Sequence, residues 1–175
     1  MAENELGLLH VYTGEGKGKT TAALGLALRA WGHDLRVCVI QFMKKGEDYG
    51  EVLALRKMGV EVFQFGSGKL IAKGHHCQDD LDCARRALEF SRCILSCGEY
   101  DLIILDEVNV AIYFDLLSCS EVLEVLRSRA NGAEVICTGR NAPEELRKEA
   151  DLVTVMTVEK HPYDDGLEAR KGIEY

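Results

Sequence analysis

An α/β fold, a mostly parallel sheet of about six strands flanked by helices, is what this sequence predicts, on two observations. Short β-rich apolar runs alternate with helical patterns from end to end, an order that calls for crossover connections and parallel pairing. A glycine-rich segment joins the first run directly to the first helix, and parallel α/β folds gather their ligands at such junctions. The 175 residues fit one domain, 1–175, large enough for a core of its own.

Each element follows from local pattern. Leu8-Leu9-His10-Val11-Tyr12 reads as a first strand, and Lys19 to Trp31, rich in Ala and Leu, as a helix that Gly32 stops. Val37 to Phe42 is a second strand. A short helix around Gly50–Met58 leads through Gly59 to a third strand, Val60-Glu61-Val62-Phe63. Gly66–His76 lacks periodicity and reads as a loop. From Asp79 to Cys97, Leu81, Ala84, Leu88 and Leu95 form one apolar stripe of a helix. Asp101 to Asp106 is a strand apolar on both faces and closed by acid. Ser118-Cys119-Ser120-Glu121 is a capping box opening a helix that ends at Asn131-Gly132. Ala133 to Thr138 is the next strand, Asn141-Ala142-Pro143-Glu144 starts a helix, and Leu152 to Val158 is the last strand.

Composition excludes several classes. Hydrophobic residues at 47% and charged residues at 29% suit a chain that folds around a core. Against 29 Asp and Glu there are 21 Lys and Arg, a net charge of −8, which disfavours a nucleic-acid partner. Two prolines rule out a proline-rich linker. No apolar run approaches the roughly 20 residues of a membrane-spanning helix, and Met1–Glu5 is too acidic and short for a secretory signal. Seven cysteines without a C-x-x-C pair read as reduced thiols, and Cys38 and Cys137 fall in buried strands. The expected setting is the cytoplasm. His75-His76-Cys77 with Cys83 is the one cluster of metal-ligand type, but its spacing matches no zinc pattern and it reads as a surface loop.

The chemistry gathers at strand ends. After the first strand come Gly14, Glu15, Gly16, Lys17, Gly18, Lys19, Thr20 and Thr21. Glycines let successive N–H groups turn inward, the helix start adds partial positive charge, and Lys19 adds a full one. Thr20 carries a hydroxyl suited to Mg²⁺. This is a triphosphate cradle, and it implies a three-layer, RecA-like phosphate-loop NTPase architecture. In the usual G-x-x-x-x-G-K-[ST] pattern a glycine would stand at position 13; here Thr13 does, and the first glycine is Gly14. The loop is one residue shorter, which suggests a nucleotide chemistry other than γ-phosphoryl transfer. Asp106 and Glu107, expected on a strand neighbouring the loop, can hold Mg²⁺ directly or through water. Arg140, after the strand ending at Thr138, can reach the same cleft and recognise phosphate. No side chain stands out as nucleophile or base: Ser118 and Ser120 read as caps, and the histidines lack an acidic partner nearby in sequence. Such a site leaves the reactive centre to a cofactor or substrate.

Five segments, in order, resemble one family. They are T-G-E-G-K-G-K-T-T-A-A at the first helix, V-I-Q-F-M-K at the end of strand two and I-I-L-D-E-V-N at the acidic strand, then T-G-R-N and the tail H-P-Y-D-D-G-L-E-A-R-K-G-I-E-Y. Together they are similar to the ATP:corrinoid adenosyltransferases, in which the shortened loop is typical. The resemblance implies that Co(I) of a reduced corrinoid attacks C5′ of ATP and expels triphosphate, so no side chain need be activated. It implies a reversed grip on the triphosphate that exposes the ribose carbon. It assigns the triphosphate to Gly14–Thr21 with Lys19 neutralising it, Mg²⁺ to Thr20 and Glu107 with Asp106 supporting, and a corrinoid-facing role to the loop Gly66-Ser67-Gly68-Lys69-Leu70-Ile71, where Leu70 and Ile71 are apolar contacts. A homodimer and an electron-donating flavoprotein are implied by the resemblance alone. Two alternatives stay open: a nucleoside or nucleotide kinase of the same architecture, and a nucleotide-gated regulatory ATPase.

Overall fold

The strands expected from the apolar runs pair in parallel because every connection between them crosses over a face of the sheet. In the computed structural model, which describes residues 6–46, 49–68 and 73–173, they are β1 (Leu9–Thr13), β2 (Val37–Gln41), β3 (Glu61–Gln64), β4 (Leu102–Asp106), β5 (Glu134–Thr138) and β6 (Leu152–Val155), in the spatial order β3-β2-β4-β5-β1-β6. The helices are α1 (Lys19–Trp31), α2 (Gly50–Lys57), α3 (Gln78–Ser96), α4 (Val108–Tyr113), α5 (Cys119–Arg127) and α6 (Glu144–Glu149).

Side-chain alternation sorts the core into two layers. Val37, Val39, Leu102, Ile104 and Ile136 face Ala23 and Ala27 of α1 and Val52 and Leu55 of α2. The intervening residues, Cys38, Ile40, Ile103, Leu105, Val135 and Cys137, face Ala84, Leu88 and Leu95 of α3 and the apolar sides of α4, α5 and α6. This is the three-layer α/β architecture, and it explains why β2 and β4 read as unbroken apolar runs: both of their faces are covered.

Several local expectations change. β4 does not neighbour β1; β5 lies between them, paired with both. The order of strands is a non-local choice that the run of elements along the chain does not encode. α4 and a 3₁₀ turn at Pro162–Asp165 add to the expected elements. α5 ends at Arg127, short of Asn131-Gly132, where Gly132 instead takes a positive φ of 86°. β6 ends at Val155 and not at Val158, since its partner β1 stops at Thr13. Ser118 is the N-cap of α5, its hydroxyl accepting the Glu121 N–H in a reciprocal capping box. His10 does have an acidic partner, Glu134, at 2.8 Å; β1 and β5 bring them together from distant parts of the sequence.

Candidate active site

The glycine loop is shaped as much by the chain beneath it as by anything above it. Thr13 still belongs to β1, is buried, and its hydroxyl accepts the Ala142 N–H at 3.1 Å. Position 13 therefore acts as a strand residue, which accounts for the missing glycine. The segment leaving β6 runs under the loop: Met156 N–H donates to Thr13 O at 2.8 Å, and Gly16 N–H donates to Met156 O at 2.8 Å. A Cβ on Gly14 would collide with the Met156 carbonyl, and one on Gly16 would come within 2.6 Å of the Thr157 carbonyl oxygen. Gly18, at φ 111°, is the N-cap that starts α1.

Lys19 is buried and folds back over the loop, its Nζ donating to Gly14 O at 2.7 Å and Gly16 O at 2.6 Å. Burial and the nearby Arg140 lower its pKa, against the opposite pull of Glu107 and Glu15. These two carbonyls hold the ammonium over the glycine loop. Arg140 reaches across the loop to Glu15, 3.4 Å away, with both side chains largely exposed.

Asp106, at the end of β4, is fully buried and meets four donors. Its Oδ1 accepts the hydroxyls of Thr20 at 2.8 Å and Thr138 at 2.7 Å; its Oδ2 accepts Gln41 Nε2 at 2.9 Å and faces Lys44 Nζ at 3.1 Å. Burial acts to lower the Lys44 pKa, but Asp106 outweighs it and the net shift is upward. Glu107 stands in the left-handed region, at φ 64° and ψ 16°. Burial first, and then Asp106, raise its carboxyl above the ordinary range, partly offset by Lys44, Lys19 and Arg140.

A cleft of about 690 Å³ at the carboxyl ends of the strands unites these groups. Glu15, Gly16, Lys17, Gly18, Lys19, Thr20, Thr21, Glu107 and Arg140 all line it. Gly14 and Asp106 lie beneath it, Gly14 under the Lys19 ammonium and Asp106 under Thr20. Lys44, Val110 and Phe114 are among the other residues of its walls. Another cleft, of about 720 Å³, opens at the other end of the strands between Trp31 and Tyr100, away from all of these residues.

The donor set suits Mg²⁺. Thr20, Asp106 and Glu107 offer hard oxygens, and Mg²⁺ is commonly held by one or two carboxylates together with phosphates and water. Thr20 gives its proton to Asp106, which leaves its oxygen lone pairs free for a cation, and Lys44 already places positive charge on the same carboxylate. Among the described residues no group of three or more His, Cys, Asp or Glu is arranged to hold a metal. In the His75-His76-Cys77 segment Cys77 serves as the N-cap of α3. Leu70 and Ile71 of the expected corrinoid-facing loop lie outside the described residues.

Sequence reasoning assigned no role to Gln41, Lys44, Asn109 or Thr138, although each lies in a segment that carries the family resemblance. The signal for the first two was a glutamine closing an otherwise apolar strand, with a lysine three residues on. Asn109 is buried and its Nδ2 donates to Gly139 O at 3.2 Å, which ties α4 to the loop after β5. That link joins residues far apart in sequence and left no local trace.

A first parallel strand feeding a glycine loop and a lysine-headed helix, with a buried acid hydrogen-bonded to the threonine after that lysine, defines the phosphate-loop NTPase class. The fold is similar to that of the flagellar accessory protein FlaH from Methanocaldococcus jannaschii, with a TM-score of 0.54 over 85% of this chain and 70% of that one, at 14% identity. Residues 5–175 match the family described as ATP:corrinoid adenosyltransferase BtuR/CobO/CobP. A corrinoid adenosyltransferase of Escherichia coli strain K12 is 36% identical over 174 residues, covering 99% of this chain and 88% of the relative. The corrinoid adenosyltransferase CobA of Salmonella typhimurium is 35% identical over the same shares, and that of Pseudomonas aeruginosa 34% identical over 99% and 86%. The chain belongs to the ATP:corrinoid adenosyltransferase family.

Proposed function

We propose that this chain, as a single domain over 1–175, transfers the 5′-deoxyadenosyl group of ATP to the Co(I) centre of a reduced corrinoid and releases triphosphate. The observation that carries the reading is a single cleft whose lining combines the glycine loop and the cations Lys19, Lys44 and Arg140 with the apolar side chains Leu24, Val110 and Phe114. That lining offers cations to a charged leaving group and apolar surface to the reactant that displaces it.

In this reading, loop amides and the α1 amino end bind the triphosphate, and Lys19 exchanges its two carbonyl partners for phosphate oxygens. Charge accumulates on the triphosphate as the C5′–O bond breaks, so cations fixed beforehand lower the barrier. The electron pair comes from cobalt, and the new bond is cobalt to C5′. Mg²⁺ would neutralise further charge on the leaving group when bound. Thr20 and Glu107 are its proposed ligands, and Asp106, its oxygens already taken by protein donors, orients Thr20 and Lys44. Arg140, freed from Glu15, adds a planar donor fork to the phosphates.

The reading extends to a homodimer, an electron-donating flavoprotein that supplies Co(I), and a cytoplasmic setting, all supported by family membership. Among the described residues no helix is long and apolar enough to cross a membrane.

The test mixes reduced corrinoid, ATP and Mg²⁺ without oxygen, following cobalt–carbon bond formation by absorbance and the phosphate product by chromatography. Corrinoid-dependent triphosphate is expected, and Lys19→Ala should abolish it while the protein stays folded. ADP formed with a nucleoside acceptor would identify a kinase instead, and slow phosphate release indifferent to corrinoid a regulatory ATPase.

A further inference from the structure

Thr138 closes β5, is fully buried, and does not line the cleft. Its hydroxyl nevertheless governs both acids of the site. The Oγ1 donates to Asp106 Oδ1 at 2.7 Å and accepts the Glu107 N–H at 3.0 Å. A hydroxyl has one proton to give, so with that proton on Asp106 its lone pairs are what receive the amide. One atom thus holds both the side chain of Asp106 and the backbone amide of Glu107.

That grip matters because strand geometry opposes the site. In a continuing strand, residues 106 and 107 would project to opposite faces of the sheet. Here Glu107 turns into the left-handed region and starts α4, and its carboxylate lines the same cleft as Thr20 and Lys44. A residue with a Cβ adopts that conformation at a cost of about 1 kcal/mol or more, so the neighbouring structure must hold it there. Thr138 does so through the Glu107 amide. Asn109, bonded to Gly139 O, anchors the first turn of α4 to the same strand end.

We infer that Thr138 is a positioning residue for the adenosyl-transfer reaction, its hydroxyl setting the Glu107 carboxylate in the pose that receives the cation of Mg-ATP and holding Asp106 where it orients Thr20. This rests on the reading of Glu107 as a metal ligand. The prediction is specific to the hydroxyl: Thr138→Ser keeps it, Thr138→Val keeps the shape without it, and Thr138→Cys replaces a strong donor by a weak one.

The experiment is calorimetric titration of the whole protein with ATP, with and without Mg²⁺. Val122→Ala in the core of α5 serves as a destabilised control remote from the cleft. Wild type should bind ATP more tightly with Mg²⁺. Thr138→Val should lose about tenfold or more of that enhancement while its Mg²⁺-free binding changes little. Thr138→Ser and Val122→Ala should keep the enhancement. In turnover, Thr138→Val should raise the half-saturating Mg²⁺ concentration, with kcat recovered by excess Mg²⁺. Should the valine form not fold, Thr138→Cys is read in its place and should show a partial loss. A wild-type enhancement retained in the valine or cysteine form overturns the proposal. No enhancement in wild type instead overturns the metal reading itself, and the proposal with it.

Discussion

Thr20 of α1 donates its hydroxyl to Oδ1 of Asp106 at 2.8 Å, although β5 lies between β4, which ends at Asp106, and β1, which leads into the glycine loop. Thr138 at the tip of β5 donates to the same oxygen, so the start of α1 and the end of β5 converge on one atom of the acidic strand. Asp106 is the hub of the site, and its removal should be felt throughout it.

Asp106→Ala leaves Lys44 without its buried partner and three neutral donors unpaired. A loss of about 3 kcal/mol is expected, a drop in Tm of roughly 10 °C for a chain of this size. Lys44→Met leaves the carboxylate three hydrogen bonds and should cost less, roughly 1–2 kcal/mol. Thermal unfolding of both variants checks the order; the reverse ranking would contradict the hub role.

Glu107 gives a pH dependence of determined sign. Burial and Asp106 raise its carboxyl in the folded state, so its contribution to stability is complete below the ordinary carboxylate range and is lost as pH rises through the raised value. Without ATP or Mg²⁺, Glu107→Gln should equal wild type in Tm at acid pH and exceed it at neutral pH. The gain should vanish with Mg-ATP, which the variant binds less well. A variant less stable than wild type at neutral pH would refute this assignment.

Gly16 is required by the chain beneath the loop. Gly16→Ala places a Cβ against the Met156 and Thr157 backbone, and backbone cannot rotate aside as a side chain can. Lifting the loop should cost about 1–3 kcal/mol and weaken ATP binding about tenfold, measured by ATP titration. Unchanged binding would show that the β6 extension does not seat the loop.

The thiols should separate into fast and silent groups. Burial pushes Cys38 and Cys137 up to about 12, while Cys77, Cys93 and Cys97 are exposed. Ellman's reagent should react quickly with three thiols in the native protein and with all seven after denaturation. Prompt native reaction at Cys38 or Cys137, mapped by peptide mass, would contradict the packing of β2 and β5.

What the sequence determined by itself was whatever local pattern carries. Alternating apolar runs and helical stripes set the α/β class, and the crossovers they demand made the sheet parallel. The Gly14–Thr21 loop, Asp106-Glu107 and Arg140 stood out because phosphate chemistry needs those residue types at strand ends, and family membership supports the reading drawn from them. Tertiary structure alone decided the strand order, since pairing is set by packing between segments distant along the chain. Inserting β5 between β1 and β4 brought Thr138 to both acids, while Thr20 joins the loop to Asp106 directly. Thr138 and Lys44 stood in segments that carry the family resemblance, but their roles emerged only once Asp106 was buried against both. The shared physical reason is that hydrogen bonds to a buried carboxylate are made across space, whereas helix and strand propensities act along the chain.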